Sequence, residues 1–345
     1  MTGNPILDFF YILLNGISEV PLVSSALTGL LILIGVSIAS RKAAAMMVVS
    51  GLIGAAVGLI LGAPYGLVTF GLFGFNSILT GMAFWSGPFT KTNRITLALS
   101  LFGAAFTAVV WMAMSHVMGD WFVLGGKGWA IPGFTSSFIF SAWLLMYATK
   151  RYGHDIWPSA PADVEAAGFK WTAKEFAKAV LNGVSQVTFV ENWKTGIFWV
   201  VGLTLSFELF APDRLFTNAF TAGWNPASGL WLAGLMALIG STIGAALAIM
   251  AKLPTWEIRV GVHGFNQVLV MIALTSFLPL TWQSFLYAVF AAIVCSLVTM
   301  PAFQNFFSKW GLPALTGPFV FTTWVFLLAA PFALNIPAGI GWARP

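Results

Sequence analysis

LNGISEVPLVSSALTG, Leu14 to Gly29, returns as LNGVSQVTFVENWKTG, Leu181 to Gly196, in a chain of 345 residues otherwise built of apolar runs. Two further pairs follow in the same order. GLFGFNSIL at Gly71 to Leu79 matches GVHGFNQVL at Gly261 to Leu269, and WAIPGFTSSFIFSAW at Trp129 to Trp143 matches WGLPALTGPFVFTTW at Trp310 to Trp324. The offsets of 167, 190 and 181 positions differ, so insertions have collected between motifs whose order was kept. In a membrane protein, duplicated halves of this kind pack as two repeats about a shared pathway. The duplication divides the chain into a first repeat over 1–149, a polar linker over 150–171 and a second repeat over 172–345.

Hydrophobic residues make up 59% of the chain and charged residues 8%. Mean hydropathy is +0.88. These values lie far outside the balance of a soluble domain and define an all-α integral membrane protein. Apolar runs of about 18 residues or more are long enough to cross a hydrocarbon core of roughly 30 Å as helices. Barrel strands would alternate, and these runs do not. The 16 Trp and 32 Phe suit lipid contact, interfacial belts and an aromatic interior. One cysteine, Cys295, excludes an internal disulfide. The N-terminus lacks the basic leader and small-residue cleavage site of a signal peptide, so its start reads as part of the mature fold. The net charge of +5 is scattered between apolar runs and reads as topology-setting loop charge, not a nucleic-acid surface.

The runs predict an opening helix over 4–23 and spans near 26–40, 44–62, 66–86, 95–118 and 131–149. The second half repeats this with an opening helix near 172–190 and spans near 194–210, 228–251, 258–277, 283–300 and 313–333. Each opening helix carries a polar Asn-Gly-x-Ser-(Glu/Gln) patch and reads as a re-entrant, half-crossing segment. The alternative is one long kinked span from Asn15 to Ile34 with the patch at the interface. Five spans per repeat is an odd number, so the second repeat starts on the opposite side and the topology is inverted. Of the 16 Lys and Arg, all but Lys127, Arg214 and Arg344 fall on one side, which puts the linker in the cytoplasm and both termini outside.

An ion pathway keeps ionisable residues inside its spans, and here the candidates are only Glu19, Glu208, Glu257 and His263. The histidines His116, His154 and His263 do not occupy equivalent repeat positions, so a paired-histidine proton or ammonium relay has little support. His263 reads as a hydrogen-bonded packing residue. No metal cluster, P-loop or nucleophile arrangement stands out, and neither an enzyme nor a cofactor site is expected.

The halves do share Glu19 with Gln186, Thr135 with Thr316, and Asn76 with Asn266, each beside apolar companions: Leu22 with Phe189, Phe75 with Phe265, Phe138 with Phe319. Glu, Gln and Thr offer acceptor oxygens, and rings offer flat walls. A small, neutral, planar solute with several N–H donors could pass edge-on along such oxygens without the desolvation of an ion. Plainer readings accompany each element. Asn76 and Asn266 suit a packing and capping role, Gly74 and Gly264 close helix approach, and Thr135 and Thr316 a helix cap. Glu19, a carboxyl in an apolar helix, calls for function or for a partner such as a helix N-terminus.

These residues resemble the urea transporter family, channel-like proteins of bacteria and animals. The resemblance rests on LNGVSQVTF with Thr195-Gly196, both Gly-Phe-Asn motifs, and Leu312-Pro313-Ala314-Leu315-Thr316-Gly317-Pro318-Phe319 running to Trp324, and it spans nearly the whole chain. It implies two inverted repeats of five transmembrane helices plus one re-entrant pore helix each, a pore within each protomer, a homotrimer in the lipid bilayer, and, for a bacterial member, the cell inner membrane. It also implies urea as cargo, with oxygen ladders and selectivity groups at Glu19, Gln186, Thr135 and Thr316. The flanking slots fall at Leu22, Phe75, Phe189 and Phe265, with Val20 and Val187 beside the pore-helix groups. This chain departs from the family where Asn-Asn-Pro or Asn-Pro is common: it has Ser24-Ser25-Ala26 and Glu191-Asn192-Trp193. Leu22 stands where an aromatic is common and Pro21 interrupts the first motif, so the first half is the less typical. Family members are drawn with cytoplasmic termini, opposite to the charge count, and both orientations stay open. A passive urea channel is the leading expectation. A channel for short-chain amides or ammonia, and an ion-coupled secondary transporter, are the alternatives.

Overall fold

The computed structural model describes residues 4–121, 131–151, 156–157, 169–206, 232–278 and 281–334. It is all-helical, with no strand among the described residues. The first half contains α1 (Pro5–Ser18), α2 (Ala26–Ala39), α3 (Arg41–Ile60), α4 (Tyr65–Thr69), α5 (Phe75–Trp85), α6 (Arg94–Trp121) and α7 (Ser136–Arg151). The second contains α8 (Ala173–Ser185), α9 (Trp193–Thr204), α10 (Leu232–Met250), α11 (Thr255–Arg259), α12 (Phe265–Phe277), α13 (Trp282–Ser308) and α14 (Gly317–Ala333). A π turn at Cys295–Thr299 interrupts α13. Most of the linker, the end of the span expected near 194–210, and Lys127, Glu208, Arg214 and Arg344 lie outside the described residues.

Among the described residues, four stretches are long and apolar enough to cross a membrane: Arg41–Ile60, Arg94–Met118, Leu232–Met250 and Trp282–Ser308. They make the chain an integral membrane protein. The remaining helices are shorter, and the reasons are local.

α1 starts on the Asn4 side chain, which accepts from the Ile6 and Leu7 N–H groups, and it ends at Glu19. The chain then turns. Leu22 adopts φ 65° and its counterpart Phe189 φ 58°, a left-handed conformation that non-glycine residues seldom hold. Ser18 Oγ accepts from Ser25 N–H at 3.0 Å, and Ser185 Oγ from Asn192 N–H at 3.4 Å, fastening both turns. Ser25 and Asn192 then cap α2 and α9 by accepting from Thr28 N–H and from the Lys194 and Thr195 N–H groups. α2 packs back along α1 so closely that a Cβ on Gly29 would lie 1.9 Å from the Leu14 carbonyl oxygen; the equivalent value for Gly196 and Leu181 is 2.1 Å. Asn15 to Ile34 is therefore a hairpin, which disposes of the single-kinked-span alternative.

The spans expected as continuous near 66–86 and 258–277 are each broken in two. α4 stops at Thr69, Gly71 takes φ 104°, and α5 restarts at Phe75; α11 stops at Arg259, Gly261 takes φ 87°, and α12 restarts at Phe265. The cause is the hairpin pressing into the break. A Cβ on Gly71 would sit 2.5 Å from the Asn15 carbonyl carbon, and one on Gly261 would sit 2.3 Å from the Gly183 nitrogen. Only glycine gives both the dihedral and the clearance.

α2 and α9 join the halves. Thr28 Oγ1 donates to the Gly202 carbonyl at 2.7 Å, and Thr195 Oγ1 donates to the Gly35 carbonyl at 2.7 Å. Each bond is the other's image under the motif offset, and the crossed pairing, 28 with 202 and 35 with 195, makes the two helices antiparallel.

Candidate functional site

A helix that stops inside an apolar protein leaves its last carbonyls without helical donors, and these must be met from elsewhere. At the first break Asn15 Nδ2 donates to Thr69 O at 2.9 Å and Ser24 Oγ donates to Phe70 O at 3.2 Å. At the second, Asn182 Nδ2 donates to Arg259 O at 2.7 Å and Gln186 Nε2 donates to Val260 O at 2.8 Å. In the opening motif, the asparagine thus serves the end of the broken helix and the glycine lets the backbones meet. Its duplication was the sequence signal for this, although its partners lie 54 and 77 positions away.

Glu19 and Gln186 follow those asparagines by one helical turn on the same face, both buried, at 6% and 9% exposure. With its amide nitrogen on Val260 O, Gln186 keeps its oxygen as an acceptor. The Glu19 carboxyl makes neither a hydrogen bond nor an ion pair among the described residues. Val20 and Val187 are buried in the apolar core.

The second feature is the pair of turns before α7 and α14. Phe134 and Leu315 take φ 47° and 52°, again left-handed and again at equivalent positions. Asn76 secures the first by donating Nδ2 to Phe134 O at 3.1 Å and accepting from Phe138 N–H at 3.2 Å. Asn266 secures the second through Leu315 O at 3.3 Å and Phe319 N–H at 3.0 Å. The packing-and-capping reading of both asparagines is what the geometry gives. The held turns bring Thr135 Oγ1 and Thr316 Oγ1 to 2.7 Å from each other. Thr316 stands at the N-cap of α14, yet its side chain makes no cap bond; the hydroxyl goes to Thr135 instead. Trp143 Nε1 donates to Pro313 O at 2.8 Å and Trp324 Nε1 to Pro132 O at 2.9 Å, tying each half to the threonine turn of the other.

Aromatic side chains adjoin these polar groups. The Phe189 ring meets Phe138 at 5.8 Å and Phe89 at 5.2 Å between centroids, so a residue of the second hairpin abuts the first threonine turn. Phe75 is buried edge-on against Trp111 at 5.1 Å. Phe134 packs on Phe319 at 5.3 Å. Leu22 and Phe265 are half-buried. Sequence reading missed Phe89. It lines a depression of about 450 Å³ with Pro88, Lys150, Trp157, Gly311 and Pro313, close to Phe189 and the second threonine turn. Lys150 reaches over Trp157 and donates to Trp310 O.

Other titratable groups have structural duties. His263 Nε2 lies 2.9 Å from Glu257 Oε2, and Tyr65 OH donates to Asp8 Oδ2 at 3.1 Å. No group of three or more His, Cys, Asp or Glu able to hold a metal occurs among the described residues.

Apolar helices, two hairpins pressed into two broken helices, and oxygen-bearing side chains at equivalent positions of each fit a membrane transport protein. A family model described as urea transporter matches residues 2–125, 122–212 and 215–336. The chain is 26% identical over 350 residues to Urea transporter 1 of Capra hircus, covering 96% of this chain and 79% of that protein. It is 26% identical over 351 residues to Urea transporter 1 of Mus musculus, with the same coverage. The chain belongs to the urea transporter family.

Proposed function

We propose that the chain is a passive, electroneutral channel for urea, with the permeant passing the Thr135–Thr316 pair and the oxygens of Glu19 and Gln186 between walls formed by Leu22, Phe75, Phe189 and Phe265. The observation that carries this reading is the 2.7 Å contact between the two threonine hydroxyls. Equivalent residues of two duplicated motifs touch only near the axis relating the halves, which is where a single pathway between repeats runs. Urea is planar and neutral. Its N–H groups can exchange one acceptor oxygen for the next, and its faces can lie against rings, so each step replaces a hydrogen bond rather than removing one.

The pseudo-two-fold we infer runs across the axes of α2 and α9, because these equivalent helices are antiparallel. If they lie along the membrane normal, the repeats are inverted. α1 spans about 21 Å at 1.5 Å per residue, short of a roughly 30 Å core, which suits a half-crossing element. We extend the reading to a homotrimer with one pore per protomer, in the cell inner membrane if the source is bacterial.

Ion coupling is the rival. It needs a buried group that titrates or binds a cation. Among the described residues the buried Asp, Glu and His are Asp8, Glu19 and His263, and the first and last are engaged by Tyr65 and Glu257. One carboxyl remains, which favours a neutral permeant over a relay. Stopped-flow light scattering on proteoliposomes with urea, formamide, acetamide and glycerol decides the matter. Rapid urea influx without any ion gradient is expected, and influx that appears only with an imposed proton or sodium gradient overturns the channel.

A further inference from the structure

The two hairpins solve one problem with different residues. The carbonyls of Phe70 and Val260 occupy the same place, immediately before Gly71 and Gly261. Val260 O receives its hydrogen from the Gln186 amide at 2.8 Å. Glu19, the counterpart of Gln186, makes no such bond: its carboxyl donates to neither Phe70 O nor any other described group. Phe70 O receives its hydrogen from Ser24 Oγ at 3.2 Å instead. The counterpart of Ser24 is Glu191, whose side chain is exposed. The donor has therefore moved five positions along the hairpin, from the residue at the end of α8 to a residue in the turn after α1.

We infer that Ser24 is a positioning residue for the site: it takes over the donor duty that Gln186 performs in the second half, and so leaves the Glu19 carboxyl free to serve the permeant. The inference rests on the pore reading above for its functional half only. The exchange of donors stands on the geometry of the hairpins. It explains why a carboxyl and a hydroxyl occur together in the first hairpin while an amide and a non-participating side chain occur in the second. It predicts coupling between positions 19 and 24. With Glu at 19, removing the Ser24 hydroxyl costs Phe70 O that bond and lets the turn carrying Leu22 shift. With Gln at 19, an amide can reach Phe70 O as Gln186 reaches Val260 O, and Ser24 becomes dispensable.

The test is a cycle of Ser24→Ala, Glu19→Gln and the double variant, with Ser24→Thr as the hydroxyl-retaining control. Each is read by urea flux in proteoliposomes and by thermal unfolding of the purified protein in detergent. Ser24→Ala should lower urea flux by about fivefold, the factor for a hydrogen bond of ordinary net strength, and Ser24→Thr should restore it. In the Glu19→Gln background the same Ser24→Ala change should alter flux by less than about twofold, because the coupling energy cancels the loss. The unfolding temperature should follow the same pattern. Equal proportional losses from Ser24→Ala in both backgrounds, in flux and in unfolding temperature, overturn the inference, as does a Ser24→Ala protein indistinguishable from the parent. A parent protein that carries no urea sinks the pore reading, and the unfolding temperatures still decide the exchange of donors.

Discussion

The first hairpin, with Glu19, Leu22 and Ser24, and the second, with Gln186, Phe189 and Glu191, share a backbone and differ in chemistry. Both end a short helix at the same point, hold a left-handed residue four positions later and press a glycine into a broken helix. Both supply an asparagine amide to the break, but only the second adds a glutamine amide and carries an aromatic ring at the left-handed position. What is common, the Asn-Gly pair and the left-handed turn, belongs to the architecture. What differs is the chemistry of the side chains the two hairpins carry, and on the proposed pathway a two-fold frame does not require its two faces to read the permeant alike. The first face is acidic and aliphatic, the second neutral and aromatic.

The largest losses are expected at the groups both halves need. Thr316→Val should reduce urea flux by at least about tenfold, a barrier increase of about 1.4 kcal/mol, because it removes an oxygen of the proposed pathway and deprives the Thr135 hydroxyl of its partner. Thr135→Val should match it within about threefold if the pair lies on the axis, about 0.7 kcal/mol by the same conversion. Glu19→Ala belongs in the same range as these two, while Glu19→Gln tests the acidity of the first face alone. All are measured by stopped-flow influx.

Next in size is the loss of an asparagine clamp. Asn266→Leu removes two hydrogen bonds to the backbone, at Leu315 O and Phe319 N–H, and should lower stability by about 2–3 kcal/mol, seen as a reduced unfolding temperature with reduced flux. Asn76→Leu should do the same to the first half, and a large difference between them would show that one half carries most of the fold's stability.

How far these roles could be read from the chain depends on where each partner lies. The duplicated motifs singled out Glu19, Gln186 and the two threonines as polar groups recurring in an apolar sequence, and the structure buries all four and brings the threonines together. The hairpins were legible for the same reason. The breaks at Gly71 and Gly261 were not: TFGLFGFNSIL and RVGVHGFNQVL lie within longer apolar runs, and the contacts that open them come from Asn15 and Asn182 on another helix. Thr316 resembled a cap because its local spacing is that of one, and only the meeting of the halves shows its hydroxyl engaged by Thr135. Ser24 looked like a mere departure from the Asn-Pro pattern. Its partner is a backbone carbonyl 46 positions away, and a carbonyl leaves no trace in sequence.

Smaller effects separate the two faces. Leu22→Phe gives the first hairpin the ring that the second has, and should change the ratio of urea to acetamide influx by no more than about threefold, in favour of the flatter solute, as expected for one added aromatic contact of roughly 0.5–1 kcal/mol. His263→Ala breaks a bond to Glu257 beside the second break, at a residue with no bond to either threonine. It should change urea influx by less than about twofold, in keeping with one peripheral hydrogen bond.

Passage of the permeant at the threonine pair is open to a chemical probe because the only native thiol, Cys295, is buried. The Thr135→Cys variant in proteoliposomes would be treated with methyl methanethiosulfonate, with the parent protein as control, and urea influx followed before and after, in the presence and absence of urea during the treatment. Modification should stop influx in the variant alone, and urea should slow the modification. Full modification of the introduced thiol with influx unchanged would rule out passage at the pair.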